Sequence, residues 1–318
     1  LEHWESTPVD RAQTHIIRDE NDKDPQRRYK ALSGDGSSND LYLWTSPDGS
    51  KWDMVDSPPI PTGDESHFTY DEISGQYIAM VKLGTKWGRS VFLSTSKDFI
   101  NFTKPELIFH TDGTDRENCR KRVREVIDNP AYITPPVIDD EDYIAEAYHM
   151  AVMPYQGFYI GFALIFNPFG ANPPPEMNFT RINQIELTVS HDLYTWNRVA
   201  DREIFIGIEP WDGIRYNTSQ VGMTGRPIVR DDGEIFIYHV ACRMPASMED
   251  YSKYNNKELF RLNVDPDLFD DTVCMSLSKL RPDGFVSLDA DEAGTITTKP
   301  FMMNGEDLYV NAEANWGE

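Results

Sequence analysis

The chain has 318 residues, a formal net charge of −23 and a pI near 4.6, with 39% apolar and 26% charged residues. So acidic a composition excludes a nucleic-acid partner, which would need clustered Lys and Arg, and no run of about 18 apolar residues offers a membrane span. Cys119, Cys242 and Cys274 are odd in number and lack metal-ligand spacing; neither a disulfide framework nor a zinc site is indicated, and free thiols are expected, with a Cys242–Cys274 pair between strands as the alternative.

In chain order, the first predicted element is a hairpin at residues 15–20 and 27–32, with a polar turn between them. It is followed by Leu41-Tyr-Leu-Trp-Thr-Ser46-Pro-Asp48-Gly-Ser-Lys-Trp52, a β-rich run that ends in Ser-x-Asp-x-x-x-Trp. The Ser and Asp side chains can hydrogen-bond the backbone of their own turn, and the aromatic residue returns to plug the layer beneath. Residues 68–81 form a second hairpin around Gly75, and Ser96-Lys-Asp98-Phe-Ile-Asn-Phe102 repeats the corner. A third hairpin spans residues 149–162 around Gly157, with its corner at Ser190-His-Asp192-Leu-Tyr-Thr-Trp196. A fourth spans residues 227–238 around Gly233.

A hairpin joined to a stapled hairpin makes a four-stranded unit, which is one propeller blade. Four blades are predicted, at residues 13–53, 65–103, 146–198 and 225–281. Residues 104–145 read as an insertion. Its basic cluster, Arg116 to Arg124, alternates with Glu117 and Glu125 and suits either a solvated helix or a lid over a substrate. Further strands are expected at 283–289 and 294–301. The domain organisation is therefore a partial propeller over 1–289 and the beginning of a C-terminal β-sandwich over 290–318. The chain opens without Met, so a further blade is expected to precede it in a longer protein.

In a propeller the first strand of each blade lines the central channel, and acids at the starts of those strands converge. Blade two begins Thr62-Gly-Asp64-Glu65-Ser-His67, blade three Ala145-Glu146-Ala-Tyr148-His149, and blade four follows Glu209-Pro-Trp211-Asp212. Asp10 is a weaker equivalent for blade one. Asp64, Glu146 and Asp212 are the candidate catalytic acids. Glu65, His67, Tyr148, His149, Trp211 and Arg226 are candidates for substrate binding, and Trp87 and Tyr216 could add flat apolar faces. By contrast, Asp48, Asp98 and Asp192 belong to the corners and are read as structural. Converging carboxylates with aromatic platforms describe glycosidic bond hydrolysis, with one acid as proton donor and another as base or nucleophile.

Asp24-Pro-Gln-Arg-Arg-Tyr-Lys-Ala-Leu32, the first corner, Phe205-Ile with Trp211-Asp-Gly, and Arg281-Pro-Asp-Gly-Phe-Val-Ser-Leu-Asp289 resemble the bacterial five-bladed β-propeller glycosidases, the superfamily of β-fructosidases (family 32) and arabinanase-like enzymes (family 43). The resemblance implies an all-β five-bladed propeller, functional acids on the inner strands of the first three blades, and a following β-sandwich. The Trp-Met-Asn-Asp-Pro-type, Arg-Asp-Pro and Glu-Cys motifs of the fructosidases are missing from this chain.

The expected protein is thus a glycoside hydrolase-like propeller acting on an oligo- or polysaccharide, secreted or periplasmic, with a carbohydrate as its partner and no cofactor. A structural ion in the channel stays open. The alternatives are a non-catalytic carbohydrate-binding or scaffolding propeller, and a sialidase-like enzyme, for which Arg226 and Arg243 are the available arginines.

Overall fold

Short runs of β-branched and aromatic residues, punctuated by Asp, Gly and Ser turns, fold into antiparallel meanders. The computed structural model describes residues 15–34, 40–133, 138–139, 144–168, 170–171, 181–243, 271–291 and 293–303, with positions 305, 307, 308, 310 and 312. Two units divide the chain, Leu1–Asp283 and Gly284–Glu318.

The first unit is all-β apart from one α-helix and two short 3-10 turns among the described residues, and it holds four blades of a β-propeller. Blade one is β1 (His15–Arg18), β2 (Tyr29–Ser33), β3 (Tyr42–Ser46) and β4 (Asp53–Met54). Blade two is β5 (Ser66–Asp71), β6 (Gln76–Thr85), β7 (Gly88–Ser96) and β8 (Glu106–Phe109). Both are continuous antiparallel sheets in sequence order. A short ladder joins β9 (Ile138–Asp139) to β12 (Gly170–Ala171). Blade three is β10 (Glu146–Tyr155), β11 (Phe158–Pro168) and β13 (Arg181–Ser190), edged by β14 (Asn197–Arg198) and β15 (Ile204–Ile206). Blade four is β16 (Gln220–Met223), β18 (Ile235–Cys242) and β19 (Val273–Leu280), with β17 (Ile228–Val229) beside β18. A single parallel bridge, Asn183 to Gln220, links blades three and four.

The three corners are built alike. Asp48, Asp98 and Asp192 each accept from the Ser two residues earlier, at 3.2, 2.9 and 3.0 Å, and from the backbone N–H groups two and three residues on. The Trp52 and Trp196 indoles close the loop onto the carbonyls of Gly49 and Leu193 at 3.0 and 2.7 Å. In each corner the residue after the Asp is left-handed: Gly49 at φ 82°, Phe99 at 60° and Leu193 at 70°. Phe99 and Leu193 adopt this region because their side chains are buried there, at 0% and 2% exposure.

A second repeat ties blade to blade. Tyr29, Tyr77 and Tyr159 stand opposite the corner serines Ser46, Ser96 and Ser190 in their sheets. Tyr77 donates its hydroxyl to Asp19 of blade one, and Tyr159 donates to Asp71 of blade two at 2.7 Å. Asp19 also takes the fully buried Lys30 ammonium at 2.9 Å.

The expected blade spans are reproduced with three differences, the first being β15, which edges blade three beyond the expected end at residue 198. The innermost strand of blade four is β16, ahead of the hairpin read from the sequence, because a four-residue run containing Gly222 carries little strand signal until β13 and β18 flank it. Likewise β8 completes blade two from within the span read as an insertion.

The helix in that span, α1 (Gly113–Asp128), is solvated along one face, where Glu117, Arg120, Lys121, Arg124 and Glu125 are exposed, and buried along the other, so it is a packed element and not a lid. Asp112 and Asp115 form a capping box, and Cys119, Val123, Val126 and Ile127 pack between blade-two residues such as Met80 and Leu93 and blade-three residues such as Met150 and Ile165. Buried ion pairs hold it: Arg198 to Asp115 at 2.8 Å and to Glu186, and Arg122 to Glu186 at 2.7 Å. Cys119, Cys242 and Cys274 are free. No helix among the described residues is long and apolar enough to cross a membrane.

The described residues of Gly284–Glu318 contain no strand, so the strands expected at 283–289 and 294–301 are not formed there. Val286, Leu288, Ile296 and Phe301 are exposed in this unit, without the paired edge that strand formation requires.

Candidate functional site

The inner strands of the blades converge on a cavity of about 350 Å3. Its wall includes His15 from β1, Glu65 and His67 at the start of β5, Tyr148 and His149 from β10, Arg181 from β13 and Gln220 from β16.

Local chemistry fixes the loop that delivers Glu65. The Gly63 N–H donates to the Lys82 carbonyl at 2.6 Å, and the Thr62 hydroxyl donates to the same oxygen at 3.2 Å. Gly63 eases this approach, since a Cβ there would lie 3.2 Å from that carbonyl and push it back by a few tenths of an ångström. The clamp brings the Asp64 carboxylate into an ion pair with the Lys82 ammonium, while Asp64 also accepts the Glu65 N–H at 2.6 Å. Lys82 sits over the Tyr148 ring, 3.4 Å from its centroid. Tyr148 stacks on Phe166 at 5.6 Å, and the Arg89 and Arg181 guanidinium groups flank the pair at 4.9–5.5 Å. Three cations, two carboxylates and two aromatic rings thus gather beside the cavity.

Burial sets the proton affinities. It pushes the Glu65 carboxyl above the usual range, against the pull of Lys82 and with added repulsion from Asp64. The Glu65 Oε2 atom is buried and has no hydrogen-bond partner among the described residues. Burial also lowers the Lys82 ammonium and the Arg181 guanidinium, and it raises the Tyr148 phenol to about 12.

The cavity wall also carries a histidine series, one from each of three successive inner strands. His67 Nε2 and His149 Nδ1 share a hydrogen bond at 2.8 Å, and the His15 and His67 rings lie 4.7 Å apart. Burial lowers His15 to about 4 and His149 to about 3, and it holds His67 well below its ordinary value, so all three are neutral at pH 7. Gly222 of β16 occupies the corresponding place in blade four, where an added Cβ would start 3.7 Å from His149 Nε2. No group of three or more His, Cys, Asp or Glu among the described residues is arranged to hold a metal ion.

Of the residues singled out from the sequence, Glu65, His67, Tyr148 and His149 come together at the cavity, and Asp64 adjoins it through Lys82. Glu146 does not line it. Its carboxylate is taken by Arg89, through the backbone N–H at 2.9 Å and through the guanidinium, in an approach that the left-handed Gly88 leaves open. Asp212 is exposed and caps its own turn, accepting from Ile214 and Arg215 N–H at 2.9 and 2.8 Å and pairing with the Arg215 side chain. Those backbone bonds lower its carboxyl below the usual range. Trp211 is anchored to the Ala131 carbonyl at 2.8 Å and lies 5.5 Å from the Arg243 guanidinium, and Tyr216 is covered by the same arginine at 3.7 Å. Trp87 stacks on His110 at 4.0 Å. Arg226 bonds Glu72 at 2.6 Å and the Tyr70 carbonyl at 2.7 Å, at the end of β5 away from His67. Arg243 is bound to Asp271 at 2.8 Å. Asp10 lies outside the described residues.

Sequence reading passed over His15 and Arg181. A signal for the first was present: His15-Ile-Ile-Arg-Asp19-Glu20 repeats His67-Phe-Thr-Tyr-Asp71-Glu72, which places both histidines at one station of successive blades. Arg181 follows a stretch without a repeat motif, and only the pairing of β13 with β11 and β16 carries it to the cavity.

No protein-family model matches the chain, and no curated protein matches it in sequence. Solved structures with a similar fold include an N-acetylgalactosamine deacetylase from F. plautii, at 13% identity and TM-score 0.43, covering 73% of this chain and 64% of that one. A β-1,2-mannobiose phosphorylase from Listeria innocua aligns at 18% identity and TM-score 0.38, covering 64% and 45%. A glycosyl hydrolase from Bacteroides ovatus aligns at 14% identity and TM-score 0.39, covering 67% and 57%. The chain therefore spans less than two thirds of the length of each of these three.

Proposed function

We propose that this chain is a carbohydrate-active propeller, a glycoside hydrolase that takes an oligo- or polysaccharide at the axial cavity with Glu65 as its proton donor. The observation behind this reading is the state of Glu65, a carboxyl group on the cavity wall that burial raises toward the protonated form. Such a group can protonate a departing glycosidic oxygen. Asp64, ion-paired with Lys82 next to it, is the second carboxylate. As the C–O bond breaks, the Glu65 proton passes to the leaving oxygen, and the water that attacks the sugar carbon releases its proton to solvent. Glu146 acts by fixing Arg89 against Tyr148 and Phe166, and Asp212 shapes its own loop.

The test is a panel of plant and algal glycans with product analysis, run on wild type and Glu65→Gln. The expected result is release of reducing ends by wild type, a loss of roughly a hundredfold or more in kcat for the variant, and retained binding. Wild-type turnover by Glu65→Gln removes the assignment.

A second reading, a carbohydrate-binding propeller without catalysis, is favoured by one observation: Glu65 is the only carboxylate on the cavity wall among the described residues. Glycan binding without product release by wild type selects it.

A further inference from the structure

We infer that the cavity selects an acidic sugar, and that Arg181 receives its anionic oxygen group, a carboxylate or a sulfate ester. This deepens the reading of the cavity as a carbohydrate site and rests on it.

Two cations beside the cavity already have carboxylate partners. Lys82 is paired with Asp64, and Arg89 with Glu146. Arg181 differs from both. It is on the cavity wall, and its hydrogen bonding among the described residues runs from Nε to neutral amide oxygens at 3.3 Å, those of Gln220 and, with its amide turned, Asn183. No carboxylate among the described residues lies within ion-pair distance of it, and its two terminal nitrogens have no acceptor among them. A largely desolvated guanidinium in that condition gains most from an anion with two oxygens, because its planar fork donates two parallel bonds.

The surroundings strengthen the case. Burial disfavours the charged form of Arg181, so the protein bears a cost there that a bound anion would offset. Glu65, the remaining acid at the site, favours the charged Arg181 at a distance, but burial pushes its own carboxyl up and it forms no ion pair with the guanidinium. The other groups shown beside the guanidinium are the neutral Gln220 amide, the Cys242 thiol and the Tyr148 ring, and the Arg89 guanidinium, a like charge. At long range the net charge of −23 repels an acidic glycan. Preference for one must therefore come from contact at the cavity, and added salt should screen the repulsion rather than abolish binding.

The experiment is calorimetric titration of the whole chain with two matched pairs of probes. One pair is tetragalacturonate and its methyl ester; the other is a sulfated carrageenan tetrasaccharide and its desulfated form. The expected result is that one acidic member binds roughly tenfold or more tightly than its neutral partner, as a charge-assisted hydrogen-bond pair warrants. Which pair responds identifies the anion as carboxylate or sulfate. Arg181→Gln should bring the acidic ligand down to the affinity of its neutral counterpart, and Arg181→Lys should recover part of the difference. Both variants are compared with wild type by thermal melting, so that a folding defect is separated from a lost contact.

Equal affinity within both pairs overturns the inference while leaving the glycosidase reading in place. Binding of none of the four probes also overturns it. Tight binding of an acidic probe that is never cleaved supports the inference and moves the chain to the binding reading.

Discussion

Acidification should unfold this propeller from its axis outward, because His15, His67 and His149 are neutral in the folded state and ordinary in the unfolded one. Burial places His15 at about 4 and His149 at about 3, against the usual 6.5, with His67 also far below it. The folded pKa values are depressed, so the unfolded chain binds more protons and stability falls as pH drops through about 6.5. Going from about pH 7 to about pH 5.5, each histidine that stays neutral in the fold costs roughly 1.3 kcal/mol, and the three together roughly 4 kcal/mol. The sum does not depend on how low the folded values lie, provided they stay below about 4.5. His239, buried on β18 and lowered in the same direction, adds to the effect. Glu65 opposes it: its folded carboxyl is raised, so it favours the folded state as pH falls. The assay is urea unfolding of wild type, His149→Gln and Glu65→Gln across this range. Wild type should lose several kcal/mol, His149→Gln should lose about 1.3 kcal/mol less over the same interval, and Glu65→Gln should steepen the loss or leave it unchanged. An unfolding free energy that stays flat from about pH 7 to about pH 5.5 would refute the reasoning, since neutral buried imidazoles require the slope.

Four further outcomes are expected. Lys82→Met removes the cation that holds Glu65 down, so the alkaline limb of any glycosidase pH profile should move to higher pH; a move to lower pH contradicts Glu65 as the acid. Lys30→Met leaves Asp19 buried and short of its ammonium partner, at a cost of about 3–5 kcal/mol by urea unfolding, and adding Asp19→Asn should recover part of it. Glu186→Gln weakens the buried pairs to Arg122 and Arg198 that dock α1, with an expected loss of about 3 kcal/mol and earlier exposure of Cys119 to a thiol reagent. Gly49→Ala forces a Cβ into a φ of 82° where the space itself is adequate, so roughly 1 kcal/mol should be lost through backbone strain alone.

What the sequence determined by itself was the repeating unit. Ser-x-Asp corners work through bonds between neighbours two or three residues apart, so Ser46, Ser96 and Ser190 announce three blades without help from the rest of the chain. Strand alternation and Gly turns supplied the spans, because those signals are local as well. Tertiary structure decided the site. Glu146 and Glu65 stand at strand starts and Asp212 in the loop ahead of β16, yet a one-residue change in facing or a nearby arginine separates a cavity wall from an ion pair or a turn cap. His15 and Arg181 reach the cavity through the gathering of β1, β5, β10 and β13 around one axis, and α1 finds its buried face only between two blades already formed. Corner chemistry is written within seven residues of chain, whereas desolvation of Glu65 and the free fork of Arg181 arise from strands well over a hundred residues apart in sequence, and burial is a property that no local pattern contains.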